Sequence, residues 1–208
     1  MKFFEQLIDF LFPPRRDERI VRRAEACAVA ALVSPMLVSV SGEMQATALL
    51  PFRNPLVRAL IHEAKYRGNE RAFALLGGAL REYLSEWTAE EGFGEICLIP
   101  IPLSEARKKE RGYNQVEKVL RYAARDVSFS IDTKSLIRLR DTASQTALSG
   151  SARRKNMSGA FGAAPGLNSS CTYLLIDDVL TTGATMHAGA SALAAAGITR
   201  ITLLALAH

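Results

Sequence analysis

Residues Tyr173 to Thr185 read Tyr-Leu-Leu-Ile-Asp-Asp-Val-Leu-Thr-Thr-Gly-Ala-Thr, and few folds can house such a stretch. A continuous apolar run is what a strand buried on both faces requires, so Tyr173 to Ile176 is expected to be a central strand of a parallel sheet. Asp177 and Asp178 then stand where the strand leaves the core. Neighbouring strand residues face opposite ways, and an unpaired carboxylate is costly to bury, so both acids need a reason to be at that edge. A hydroxyl-rich ligand supplies one.

The turn that follows opens onto an Ala-rich segment with helical spacing. Backbone N–H groups at a helix start lack intrahelical partners and carry partial positive charge, which makes a glycine-containing turn a phosphate cradle. In this reading Gly183 admits close backbone approach, Ala184 belongs to the same anion-binding turn, and Thr181, Thr182 and Thr185 add hydroxyl donors. Carboxylates for a diol beside amides for a phosphate describe a ribose 5-phosphate. The alternative is a threonine N-cap next to a solvated acid pair. The ligand reading expects both carboxylates free of internal salt bridges and meeting the turn in one hollow.

Leu174 to Thr185 resembles the phosphoribosyl pyrophosphate (PRPP) motif of type I phosphoribosyltransferases, since the apolar run, the acid pair and Thr-Thr-Gly-x-Thr occur in register. It has neither the Gly-Lys-Ser/Thr of a P-loop nor the Gly-x-Gly-x-x-Gly of a dinucleotide fold. Further pieces resemble the ComF family, the competence-protein relatives of amidophosphoribosyltransferases. They are Ala59 to Gly68 (ALIHEAKYRG), Ile99 to Gln115 (IPIPLSEARKKERGYNQ), and Arg138 to Phe161 with Gln145-Thr146, Leu148-Ser149, Asn156 and Gly159-Ala160-Phe161. The resemblance covers about residues 50 to 208.

The expected fold is α/β, a type I phosphoribosyltransferase-like, mostly parallel sheet flanked by helices over residues 51–208. Residues 1–50 form a small N-terminal appendage in place of a zinc module. Many ComF relatives carry four cysteines there; here Cys27, Cys97 and Cys171 lie far apart with no C-x-x-C pair, so reduced thiols are expected. A length of 208 residues suits one main core. The hydrophobic share of 49% and charged share of 23% are those of a globular protein. No apolar run approaches the ~18 residues of a membrane helix, and a cytoplasmic protein is expected. The net charge of +5 points to an anionic partner, a pyrophosphate-bearing substrate or a nucleic acid, without choosing between them.

Along the chain, Phe3 to Phe12 show an amphipathic helical stripe closed by Pro13-Pro14. Asp17 is expected to cap a helix reaching about Leu32, and Met36 to Leu50 to form a hairpin. Helices are expected from Pro55 to Gly68, from Arg71 to Trp87 and from Val116 to Asp126, with strands at Ile96 to Ile99 and Arg200 to Leu206. Lys65 and Arg67 fit either a phosphate or the helix dipole. Ser104 to Gln115 reads as a basic loop. Its Arg107, Lys108, Arg111, Gly112, Asn114 and Gln115 correspond to the pyrophosphate loop that the resemblance implies, while a single-strand nucleic-acid track with Tyr113 as stacking platform is the rival reading. Asp141 to Ser151 suits a mobile cover, and Gln145, Thr146, Arg153, Arg154 and Asn156 match the family's flexible hairpin; Arg138, Arg140, Arg153 and Arg154 fit substrate binding or a merely basic surface equally well.

The resemblance implies displacement at ribose C1 with release of pyrophosphate, a glycosyltransferase reaction of nucleotide metabolism. Asp177 and Asp178 would act as the catalytic pair that stabilises oxocarbenium-like charge, Arg107 and Arg111 would steady the leaving group, and the loop around Gln145 would exclude water. Magnesium would bind through substrate oxygens and water near the acids rather than in a protein-only cage. The acceptor is not legible. The chain opens Met1-Lys2-Phe3, so no glutamine-hydrolysing unit with an N-terminal cysteine is expected. The competing implication is a non-catalytic PRPP- or nucleotide-binding protein that handles single-stranded DNA during competence with a helicase partner.

Overall fold

Alternation along the apolar strands sets the layers of this molecule. A computed structural model describes residues 14–41, 44–91, 95–125, 129–140, 157 and 159–208. The strands are β1 (Met36–Ser41), β2 (Met44–Leu50), β3 (Ile96–Pro100), β4 (Ser130–Ile131), β5 (Leu136–Arg138), β6 (Phe161–Ala163), β7 (Thr172–Val179) and β8 (Ile201–Ala207). The helices are α1 (Arg16–Arg23), α2 (Ala26–Ala30), α3 (Pro55–Arg67), α4 (Glu70–Glu91), α5 (Glu105–Arg111), α6 (Gln115–Ala123) and α7 (Ala184–Ala195).

Six strands form one sheet in the order β1-β2-β8-β7-β3-β4, and only the β1–β2 pair is antiparallel. The chain is thus α/β with a mostly parallel sheet flanked by helices, as its sequence led us to expect. β7 lies between β3 and β8, with Tyr173 to Ile176 buried. Period two divides its side chains between two cores. Leu174 and Ile176 join Leu98, Leu204 and residues of α3, α4 and α6 in one; Tyr173 and Leu175 join Ile99, Leu203 and residues of α7 in the other.

The hairpin forms, and its second strand runs parallel to β8 with Thr47 opposite Leu204. A register shift between Ser39 and Ser41 puts a bulge at Val40, which becomes important at the turn after β7. α3 has the ends its sequence announced, Pro55 in the first turn and Gly68 left-handed at the stop, and Asn54 adds a cap by accepting from the Leu56 N–H. The helix expected from Asp17 to Leu32 instead stops at Arg23, because the Arg71 guanidinium takes the carbonyls of Val21 and Ala24 at 3.0 and 2.5 Å. Asp17 is no cap; its carboxylate lies 3.0 Å from His62 Nδ1.

β5 and β6 pair antiparallel in a separate two-stranded ribbon, the base of the hairpin expected there. Gln145, Thr146, Arg153, Arg154 and Asn156, and the amphipathic stripe of Phe3 to Phe12, lie outside the described residues. No described helix is long and apolar enough to cross a membrane.

Candidate functional site

β7 outruns its neighbour β3. Pro100 is the last residue of β3 paired with it, opposite Ile176, so Asp177 and Asp178 project past that strand's end. In an open parallel sheet this carboxyl edge is where ligands gather. Alternation sends the two acids to different sides, and their surroundings differ accordingly.

Asp178 follows Leu174 and Ile176 toward α3 and α6 and is 5% exposed. Its Oδ2 accepts from Gln115 Nε2 at 2.6 Å and is paired with Lys65 Nζ at 2.9 Å. Gln115 is held in turn, its Oε1 accepting from Arg111 Nη1 at 3.0 Å. The Arg111 guanidinium lies 5.1 Å from the centre of the Tyr66 ring, and its Nε is buried without a hydrogen-bond partner. The expectation that both carboxylates stand clear of internal salt bridges is therefore corrected for Asp178. The last turn of α3 reaches the acid pair directly through Lys65, whose ammonium is paired with Asp178.

Asp177 is the freer acid. It is half-buried, has no ion-pair partner among the described residues, and accepts the Asp178 N–H on Oδ1 at 2.8 Å. Burial above all, and then the charge of Asp178, push its carboxyl up to about 7 from 3.8. The Asp178 N–H, Lys65 and Arg107 pull the other way.

Asp177 and the turn share one hollow of about 20 Å³, bordered by Thr181, Thr182, Gly183, Ala184 and Thr185. That is room for about one water-sized sphere, so a larger anion has to seat on its rim. The turn is not a threonine cap. Gly183 is the N-cap of α7, at φ +69°, and no side chain caps the helix. The glycine is demanded by the fold itself, since a Cβ there would lie 2.5 Å from Val40 Cγ1 on the β1 bulge. Sequence reading missed Val40, whose contact depends on which strand the hairpin pairs with.

Ser104 to Gln115 is not a loop as expected. Residues Glu105–Arg111 form α5, with Ser104 accepting from the Arg107 N–H, Glu105 in the first turn, basic residues in the last and Gly112 left-handed at the end. Those capping signals were present in the sequence, and the density of cations masked them. The six residues expected to hold pyrophosphate divide between two places. Arg107, Arg111 and Gln115 act on the acid pair, directly or through one another. Asn114 caps α6 and donates to the Ile101 carbonyl. Lys108, Gly112 and Asn114 border a separate cleft of about 730 Å³, lined also by Lys134, Leu136 and Arg138. Tyr113 is no free stacking platform: its hydroxyl donates to the Ala64 carbonyl at 2.9 Å and its ring packs edge-on against Phe73. Arg140 is exposed just past the end of β5.

His208 had no expected role, yet its Nδ1 lies 2.8 Å from the Leu180 carbonyl, bracing the start of the turn. Among the described residues no group of three His, Cys, Asp or Glu side chains is placed to hold a metal alone.

No family model matches the chain. It is similar to Competence protein F of Haemophilus influenzae, 32% identical over 114 residues that make up 54% of this chain and 50% of that one. It is also similar to the DNA utilization protein YhgH of Salmonella typhimurium, 30% identical over 136 residues, and to YhgH of Escherichia coli K12, 30% identical over 133. Both YhgH matches cover 64% of this chain and 58% of the relative, so the chain spans between half and three fifths of the length of these relatives.

Proposed function

We propose that this chain binds a phosphorylated ribose, PRPP or a nucleotide-like ligand, at the tip of β7, and that the occupied site serves the handling of DNA. One observation carries the ligand reading. The acid pair at the carboxyl end of β7 runs straight into the start of α7, which no side chain caps, with Lys65, Arg107 and Arg111 gathered around the acids. A 5-phosphate would rest on the rim of the turn, on the first N–H groups of α7 and the Thr181 hydroxyl, while the acids accept the sugar hydroxyls. This is the arrangement that the resemblance to type I phosphoribosyltransferases implies. Magnesium fits as a passenger of the pyrophosphate, with Asp177 the described carboxylate left without an ion pair to face it. When bound, it would neutralise leaving-group charge.

The DNA role takes its support from the relatives, named for competence and for DNA utilization. Between binding and transfer, binding is favoured by the pairing of Asp178 with Lys65 and Gln115, which withdraws one of the two acids from chemistry at C1. Phosphoribosyl transfer is the second reading. It is favoured by the neighbouring 730 Å³ cleft, the size of a small-molecule site, where an acceptor has room.

Two assays separate these. In the binding reading, fluorescence anisotropy finds an oligonucleotide affinity that changes when PRPP and magnesium are added, and pyrophosphate release stays at background across a panel of bases and amines. Release above background with one acceptor establishes transfer instead. Oligonucleotide affinity that is absent, or indifferent to PRPP, contradicts the link between the ligand and DNA.

A further inference from the structure

Asp178 is gripped by one oxygen only. Gln115 Nε2 and Lys65 Nζ both reach Oδ2, at 2.6 and 2.9 Å, and no described residue hydrogen-bonds to Oδ1. Two donors on a single oxygen fix the plane of the carboxylate and leave the other oxygen's lone pairs for an outside donor. The grip is itself supported from behind. Gln115 is 4% exposed, and the bond from Arg111 Nη1 to Gln115 Oε1 decides which end of the amide faces Asp178. Lys65, by contrast, is 23% exposed along its side chain, so its ammonium keeps some contact with water while it neutralises the acid.

We infer that Lys65 and Gln115 are positioning residues that aim Oδ1 of Asp178 at the hydroxyls of the sugar, so that preference for a diol-bearing phosphate depends on them. The inference rests on the proposed ribose 5-phosphate site and adds how that site tells a sugar phosphate from a bare one. A phosphate held on the α7 turn meets Lys65 only through its field, which already reaches Asp177 in the same hollow. A hydroxyl donating to a fixed carboxylate depends on Lys65 directly, because a rotating acceptor forfeits much of a charge-assisted hydrogen bond. In this reading the ammonium of Lys65 stays with Asp178 when ligand binds and does not swing over to the phosphate.

The test compares ribose 5-phosphate with methyl phosphate, which carries the same anion without a diol, by NMR titration of wild type, Lys65→Met, Lys65→Arg and Gln115→Leu. Wild type should prefer ribose 5-phosphate about tenfold or more, the factor that one such bond supplies. In Lys65→Met and Gln115→Leu the preference should fall toward unity, ribose 5-phosphate losing several-fold more affinity than methyl phosphate, and Lys65→Arg should restore part of it. Gln115→Leu reads the same quantity should Lys65→Met fail to fold, since Lys65 still neutralises Asp178 there. Equal loss of both ligands on Lys65→Met would make Lys65 a phosphate ligand and overturn the inference, as would an undiminished preference. A wild type that binds neither phosphate would overturn the ribose 5-phosphate site itself, a result distinct from either.

Discussion

At the scale of single residues, Gly183 and Asp177 concentrate the conflicts that make the turn. Gly183 is left-handed and has Val40 against it, whereas Gly112 is left-handed with open space around it. Gly112→Ala should therefore cost only the backbone term, about 1 kcal/mol, while Gly183→Ala should cost about 2 to 4 kcal/mol, with part of the excess recovered in a Gly183→Ala/Val40→Ala double variant. Urea midpoints of the four proteins measure this; equal costs at the two glycines would contradict it. Asp177 predicts a pH dependence. Its folded value near 7 exceeds its ordinary 3.8, so the folded chain holds the proton more tightly than the unfolded one. Stability is thus lost as pH rises from about 4 to about 7. Asp177→Asn removes that loss and should match wild type at pH 4 and exceed it at pH 8, as read from unfolding midpoints across the range. A variant less stable than wild type at pH 8 would show that the carboxylate is welcome where it stands.

At the scale of elements, the alternation and capping rules account for most of what was legible. The buried run of β7, the Pro55 start of α3 and the Gly68 stop all lay where the sequence put them. What was not legible depends on partners distant in sequence: Arg71 ending α1, Val40 covering Gly183, Lys65 taking Asp178. Local pattern carries no information about which of several cations reaches a given acid. The same distinction separates the adjacent glycines of α4. A Cβ on Gly77 would lie 2.4 Å from Tyr122 Cβ on α6, whereas one on Gly78 meets nothing within 4 Å. Gly78→Ala should stabilise by about 0.5 to 1 kcal/mol through helix propensity, and Gly77→Ala should destabilise by more than that despite the same gain. Stabilisation by both substitutions, measured by thermal unfolding, would mean that α4 and α6 do not pack so closely.

For the whole molecule, part of the basic excess lies in the cleft beside β3, where Lys108, Lys118, Lys134 and Arg138 outnumber Glu105 and Glu117 along the border. If DNA binds there, affinity for a single strand should fall steeply with salt, and reversing Lys118 and Lys134 to Glu should flatten that slope by about 2 without altering the response to PRPP. A slope unchanged in that double variant would place the DNA elsewhere. Everything above that level depends on the β7 tip holding a phosphorylated ribose, and a thermal-shift titration with PRPP and magnesium tests this most directly. At a hundredfold excess over Kd, binding should stabilise wild type by about 2.7 kcal/mol, a Tm rise of about 5 to 10 °C. Asp177→Ala and Thr181→Ala should lose most of that rise while remaining folded. A wild-type Tm indifferent to PRPP, or an equal rise in all three proteins, would contradict the account.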